Sequence, residues 1–253
     1  MYAPRYLLAT IALASAFAIA DEPVCQGRND LPRVLEHVCY SGQPDATSCP
    51  YHDDAFGIFE NNRAPYHYLL VPRQKVCGIE NEALWQSGTH DWFAEAWRLR
   101  HLFAEAKPVS GGVPLERVGI AINSIPGRSQ GQLHVHISCV EQGVAKQLAV
   151  HASQFNDTWQ PLDLTTPDGV QHYLARRLAG PQIDPDVFAS LAKAHPELAA
   201  DKGNITAFAA SVADGSVIRP LVLIGHYSDH NQGHAEDLLD GCGNVQAAPK
   251  PQQ

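Results

Sequence analysis

Residues 130–139 read Gln-Gly-Gln-Leu-His-Val-His-Ile-Ser-Cys, and the alternation running through them constrains the fold more than any other stretch. Side chains along an extended strand point alternately to its two faces. Leu133, Val135, Ile137 and Cys139 therefore share one face, which is wholly apolar and suits a core. Gln132, His134, His136 and Ser138 share the other. Two neighbouring imidazoles can hold a metal, or one can attack an electrophile while the other manages protons. A half-buried strand can also carry two of the chain's 13 histidines with no chemistry attached.

The surroundings place this strand in a mixed architecture. Val118–Asn123 is β-branched and apolar and precedes an Asn-Ser-Ile-Pro-Gly-Arg-Ser loop, so it predicts an antiparallel hairpin with the His134 strand. Tyr66–Pro72 reads as another strand, ended by proline. Trp92, Ala96, Leu99, Leu102 and Phe103 recur at helical spacing, which predicts an amphipathic helix over Asp91–Ala106. Further helices are expected at Leu31–Cys39, Ala145–Gln154, Asp186–Ala200 (interrupted by Pro196) and Ala235–Leu239. Asp214-Gly215-Ser216 joins two apolar runs, Ile205–Ala213 and Val217–Tyr227, as a hairpin. The rest of Cys25–Asp54 reads as loop, and Glu80–Leu84 as irregular. Antiparallel strands with separate helices indicate α+β.

Both ends of the chain have other signatures. Arg5, the apolar run Leu7–Ile19 and Ala18-Ile19-Ala20 form the pattern of a signal peptide over residues 1–20, with an uncleaved N-terminal anchor as the alternative. Residues 247–253 read as a disordered tail, leaving 21–246 as a single domain. Six cysteines in an exported chain suggest disulfides, although six allow 15 pairings. Eighteen basic against 27 acidic residues give a formal charge of −9, which argues against a nucleic-acid partner.

The block Asn123-Ser124-Ile125-Pro126-Gly127-Arg128-Ser129-Gln130-Gly131-Gln132-Leu133-His134-Val135-His136-Ile137-Ser138 resembles the signature of the histidine-triad superfamily, in particular its CDP-diacylglycerol pyrophosphatase family. Tyr68-Leu69-Leu70-Val71-Pro72 and Tyr173-Leu174-Ala175-Arg176-Arg177 match that family's pattern too, so the resemblance runs from about residue 35 to 242. It implies a histidine-triad-like antiparallel sheet with flanking helices, extended here by the C-terminal β-hairpin. It also implies hydrolysis of CDP-diacylglycerol to CMP and phosphatidate through a covalent nucleotidyl-histidine. The expected setting is a membrane surface, in the periplasm or on the periplasmic face of the inner membrane. No cofactor and no obligate protein partner is implied.

In register with the family, the triad positions fall at Gln132, His134 and His136, so glutamine stands at the first histidine position. The family's nucleophile maps onto His134, with His136 beside it. A frame shifted by two would make His136 central and put Ser138 third. Glutamine can orient a phosphate through hydrogen bonds but cannot titrate. Arg128 is the nearest candidate to offset phosphoryl charge, Gln130 and Ser138 could donate to phosphate oxygens, and Asn123 could fix the loop or the ribose. Arg176 and Arg177 could clamp a diphosphate or simply end an exposed element. The resemblance implies disulfides Cys39–Cys49 and Cys139–Cys242, with Cys25–Cys77 as an additional pair. Two other functions compete: a metal-dependent phosphohydrolase using His134 and His136, for which the sequence offers no carboxylate or third histidine, and a non-catalytic protein binding nucleotides or lipid head groups. His226, His230 and His234 read as surface histidines, since Asn231-Gln232-Gly233 breaks any helix that would align them.

Overall fold

The structure, a computed structural model, describes residues 25–42, 45–61, 66–106, 113–228, 230–239 and 242. The expected leader over 1–20 and tail over 247–253 lie outside the described residues. Nine described strands form one antiparallel sheet in the order β1-β2-β3-β5-β4-β8-β9-β7-β6. These are β1 Tyr51–His52, β2 Phe56–Glu60, β3 Tyr68–Pro72, β4 Val118–Ile122, β5 Val135–Cys139, β6 Gln160–Thr166, β7 Gly169–Arg177, β8 Ile205–Asp214 and β9 Val217–His226. The expected hairpin of β4 and β5 is present, with Ala121 opposite His136 and Val118 opposite Cys139. The β8–β9 hairpin, read as an extension, lies inside the sheet and carries β7 and β6 beyond it.

Leu133, Val135, Ile137 and Cys139 are fully buried in the larger of the cores. Helix α2, Trp92–Ala106, covers that face and contributes Phe93, Ala96, Trp97 and Phe103. Its start is set by Asp91, whose Oδ1 accepts from the backbone N–H of Phe93 and Ala94. Helix α3, Gln142–His151, lies over the opposite face with Val144 and Leu148 among residues of β6 to β9. Pro196 splits the expected Asp186–Ala200 helix into α4, Val187–Ala194, and α5, Pro196–Ala199, because proline cannot donate to the preceding turn.

Near the N-terminus of the described chain, helix α1, Leu31–Leu35, runs directly into a π turn at Glu36–Tyr40. Gly57 lets this segment sit close on β2, since a Cβ there would lie 2.6 Å from Leu35 Cδ1. Three disulfides are formed: Cys39–Cys49 and Cys139–Cys242, which the resemblance implied, and Cys25–Cys77, the additional pair. Cys39–Cys49 ties the π turn to the loop before β1, while Cys139–Cys242 anchors the far C-terminal part to the end of β5.

Candidate active site

The polar face of β5 is buried as well as its apolar one. The polar face opens into a cavity of about 440 Å³ lined by His134, His136, His67, Asn123, Gln130 and Glu236. The apolar part of the wall comes from Leu31, Val34 and Val38 on the α1 segment, with Phe59 and Leu69 from the sheet. Segment 26–30 closes over the loop before β5. Arg28 N–H donates to Ser129 O, Gly131 N–H donates to Arg28 O, and Asp30 N–H donates to Gln130 Oε1. Gly131 is required for this closeness, since a Cβ there would lie 2.7 Å from Gln26 O and 2.8 Å from Cys25 Cβ.

His134 is held by the residue two positions before it. Its Nδ1 lies 2.8 Å from Gln132 O. A carbonyl only accepts, so Nδ1 carries the proton and Nε2 is the unprotonated nitrogen of the neutral ring. Burial pushes the His134 pKa down to about 4, with the hydrogen bond to Gln132 opposing and the charge of Arg128 adding to the fall. The ring is therefore neutral at pH 7.

The Gln132 side chain faces away from this cavity and toward backbone. Its Nε2 donates to Pro72 O at 3.0 Å and Gln74 O at 2.9 Å, and its Oε1 accepts from Val76 N–H at 3.3 Å. Gln132 thus clamps the chain after β3 and offers only its carbonyl to His134. Ser138 Oγ donates to Tyr66 O at 2.7 Å and does not line the cavity.

His136 stands beside His134, with ring centroids 4.8 Å apart. Its Nδ1 lies 2.8 Å from His67 Nε2 and 3.1 Å from Glu236 Oε2. Its Nε2 is buried without a hydrogen-bond partner. Burial pushes the pKa of His136 well down and that of His67 to about 4, each also lowered by a neighbouring histidine. Burial raises Glu236, opposed by a hydrogen bond from the Asn123 side chain. Asn123 also accepts from the Glu236 backbone N–H through Oδ1 at 3.1 Å. Asn123 therefore sets both the backbone and the carboxyl of Glu236.

The cationic candidates lie apart from the cavity lining. Arg128 is buried in a two-pronged pair with Glu80, both contacts at 2.5 Å. Arg176 Nε donates to Asp157 O and its Nη1 to Ser190 Oγ, whereas Arg177 donates to Ala152 O. None of the three lines the cavity. His226 pairs with Asp201 and His230 stacks edge-on against His172, so these two do not converge with His234.

Sequence reasoning missed His67 and Glu236. They lie 69 and 100 positions from His136 (136 − 67 and 236 − 136), and neither sits in a ligand-like spacing. Register offers the only signal. Leu69 pairs with His136, so His67 begins the stretch that leads into the partner strand.

The CDP-diacylglycerol pyrophosphatase family model matches residues 26–246. A CDP-diacylglycerol pyrophosphatase of Yersinia pestis is 36% identical over 146 residues, covering 56% of this chain. That match spans 54% of the relative, so the chain spans about half the length of the curated relative it matches.

Proposed function

The chain belongs to the CDP-diacylglycerol pyrophosphatase family, and on that premise we propose that it hydrolyses CDP-diacylglycerol to CMP and phosphatidate, with His134 as nucleophile. The observation that carries this reading is the bond from His134 Nδ1 to Gln132 O. It presents Nε2 with a free electron pair in a cavity shared with Asn123, His136 and Glu236. The same bond favours the frame with Gln132, His134 and His136 in the three triad positions.

In the first step the Nε2 lone pair attacks the cytidylyl phosphorus, the bond to the bridging oxygen breaks, and phosphatidate leaves with that electron pair. In the second step a water oxygen attacks the same phosphorus and the P–N bond breaks back to Nε2. The water proton passes to the Glu236 carboxylate, whose basicity is raised by burial and whose neighbour is His136. The apolar wall of Leu31, Val34, Val38 and Phe59 suits the glycerol and first acyl carbons of a lipid. Such a substrate places the enzyme at a membrane surface and in phospholipid metabolism. The leader expected over residues 1–20 supports export to the periplasm or the periplasmic face of the inner membrane as the setting proposed here. No helix of the described residues is long and apolar enough to cross a membrane.

The test uses CDP-diacylglycerol labelled on the cytidylyl phosphate, in mixed micelles with purified protein. We expect CMP release, transient acid-labile label on the protein, and loss of both by at least ~10³-fold in His134→Ala. Unchanged turnover in that variant, or no release by the wild type, overturns the proposal.

A further inference from the structure

We propose that His67, His136 and Glu236 form a binding site for a divalent transition-metal ion of the zinc class, and that a bound ion arrests hydrolysis. The second half rests on the proposed function, in which Glu236 accepts the proton of the hydrolytic water; the site itself does not.

Each of the three residues offers one ligand atom, and these atoms lie within 4.8 Å of one another. His67 Nε2 and Glu236 Oε2 both address the same atom, His136 Nδ1, from 2.8 Å and 3.1 Å. A single ring nitrogen carries either one proton or one lone pair, so it serves one of those partners well and the other poorly. One cation between the three groups would satisfy all of them together. The second nitrogen of His136 is buried without a partner, so the ring's polar contacts are concentrated at this cluster.

Chemistry selects the kind of ion. Two imidazoles and a carboxylate, with room for a fourth ligand from the cavity, make a donor set suited to zinc-like ions. Calcium and magnesium favour all-oxygen shells. Asn123 holds Glu236 in place, as groups behind a metal ligand commonly do. The Glu236 carboxylate, in direct reach of the two imidazoles, would partly offset the charge of a cation bound there.

His134 is excluded from the ligand set, because its Nδ1 is bonded to Gln132 O. That separation gives the proposal its sharpest consequence: removing the nucleophile leaves the metal site intact. A bound ion, by contrast, occupies the Glu236 carboxylate and takes it out of the reaction.

The experiment titrates untagged, metal-free protein with Co²⁺, followed by visible ligand-field absorption, with Zn²⁺ as competitor. Wild type and His134→Ala are expected to bind one ion with the same spectrum. His67→Ala and Glu236→Gln are expected to lose it while keeping the wild-type circular dichroism. Saturating Zn²⁺ should lower wild-type turnover by at least about tenfold, reversed by chelator. Absence of Co²⁺ bands, or bands surviving both ligand substitutions, overturns the site. Loss of the bands in His134→Ala overturns the ligand set. Turnover unchanged or raised by Zn²⁺ overturns the arrest. A metal-free wild type without turnover sinks the proposed hydrolysis instead, and the Co²⁺ spectrum still decides the site.

Discussion

The two imidazoles at the start of β5, His134 just before it and His136 within it, differ in what their ring nitrogens touch. His134 has one nitrogen fixed by a carbonyl, whereas His136 is wedged between another imidazole and a carboxylate. If Glu236 accepts the proton from the hydrolytic water, Glu236→Gln should slow the second step more than the first. Turnover should fall ~10²–10³-fold, and the labelled nucleotidyl-protein should accumulate in rapid-quench measurements. The Gln132 side chain belongs to stability rather than chemistry on this geometry. Gln132→Ala would leave Pro72 O, Gln74 O and Val76 N–H without their buried partner. We expect a loss of roughly 2–4 kcal/mol in urea unfolding. The sequence exposed His134, His136 and the substitution at Gln132. It could not reveal that the glutamine amide is engaged by backbone 56 to 60 residues away, because the β3–β5 register sets that contact.

At the scale of single elements, α2 carries a built-in pH dependence. Its capping residue Asp91 is buried, and burial raises its pKa from 3.8 to about 7 against the pull of the Ala94 and Phe93 N–H groups. Between those values the folded protein holds a proton that the unfolded chain has released. The stabilisation is therefore complete below about pH 4 and is lost as pH rises toward 7. Asp91→Asn keeps an oxygen for the cap and cannot ionise. Its unfolding free energy should vary less over pH 4–7 and exceed that of wild type at pH 7.5 by roughly 1–3 kcal/mol. Helix α2 was legible because its apolar residues recur on one face over four turns. The β6–β7 hairpin is not evident in the sequence, although Pro167-Asp168 forms its turn. Only five of its sixteen residues are buried, and Pro161 near the start of β6 weakens the strand signal. Strand β2 is buried on both faces through Phe56–Phe59, so it has no alternation to read.

Across the whole molecule, one continuous sheet links the cavity to distant segments, and three disulfides fasten segments outside it. Cys139–Cys242 spans 103 positions and fixes the C-terminal part beside the end of β5, on the side of the strand that faces the core. Replacing both cysteines by serine should lower stability by about 3–5 kcal/mol by freeing the unfolded chain. Differential scanning calorimetry of the oxidised wild type and the double variant measures this directly. Glu236 lies six positions before Cys242, and the CMP-release assay should show a further loss of turnover in the same variant.

The order of its blocks placed this chain in its family, and local alternation and helical spacing determined β3, β4, β5, β8, β9 and α2. Those signals are legible because each depends on residues within a few positions of one another. The candidate site was decided by tertiary structure. His67, His136 and Glu236 meet only because β3 pairs with β5 in one register and the chain after β9 returns to Asn123. A slip of one residue in that pairing would turn His67 to the other face of the sheet. The contacts that give His134 and His136 different surroundings span up to 100 positions, and folding decides them through packing rather than local preference.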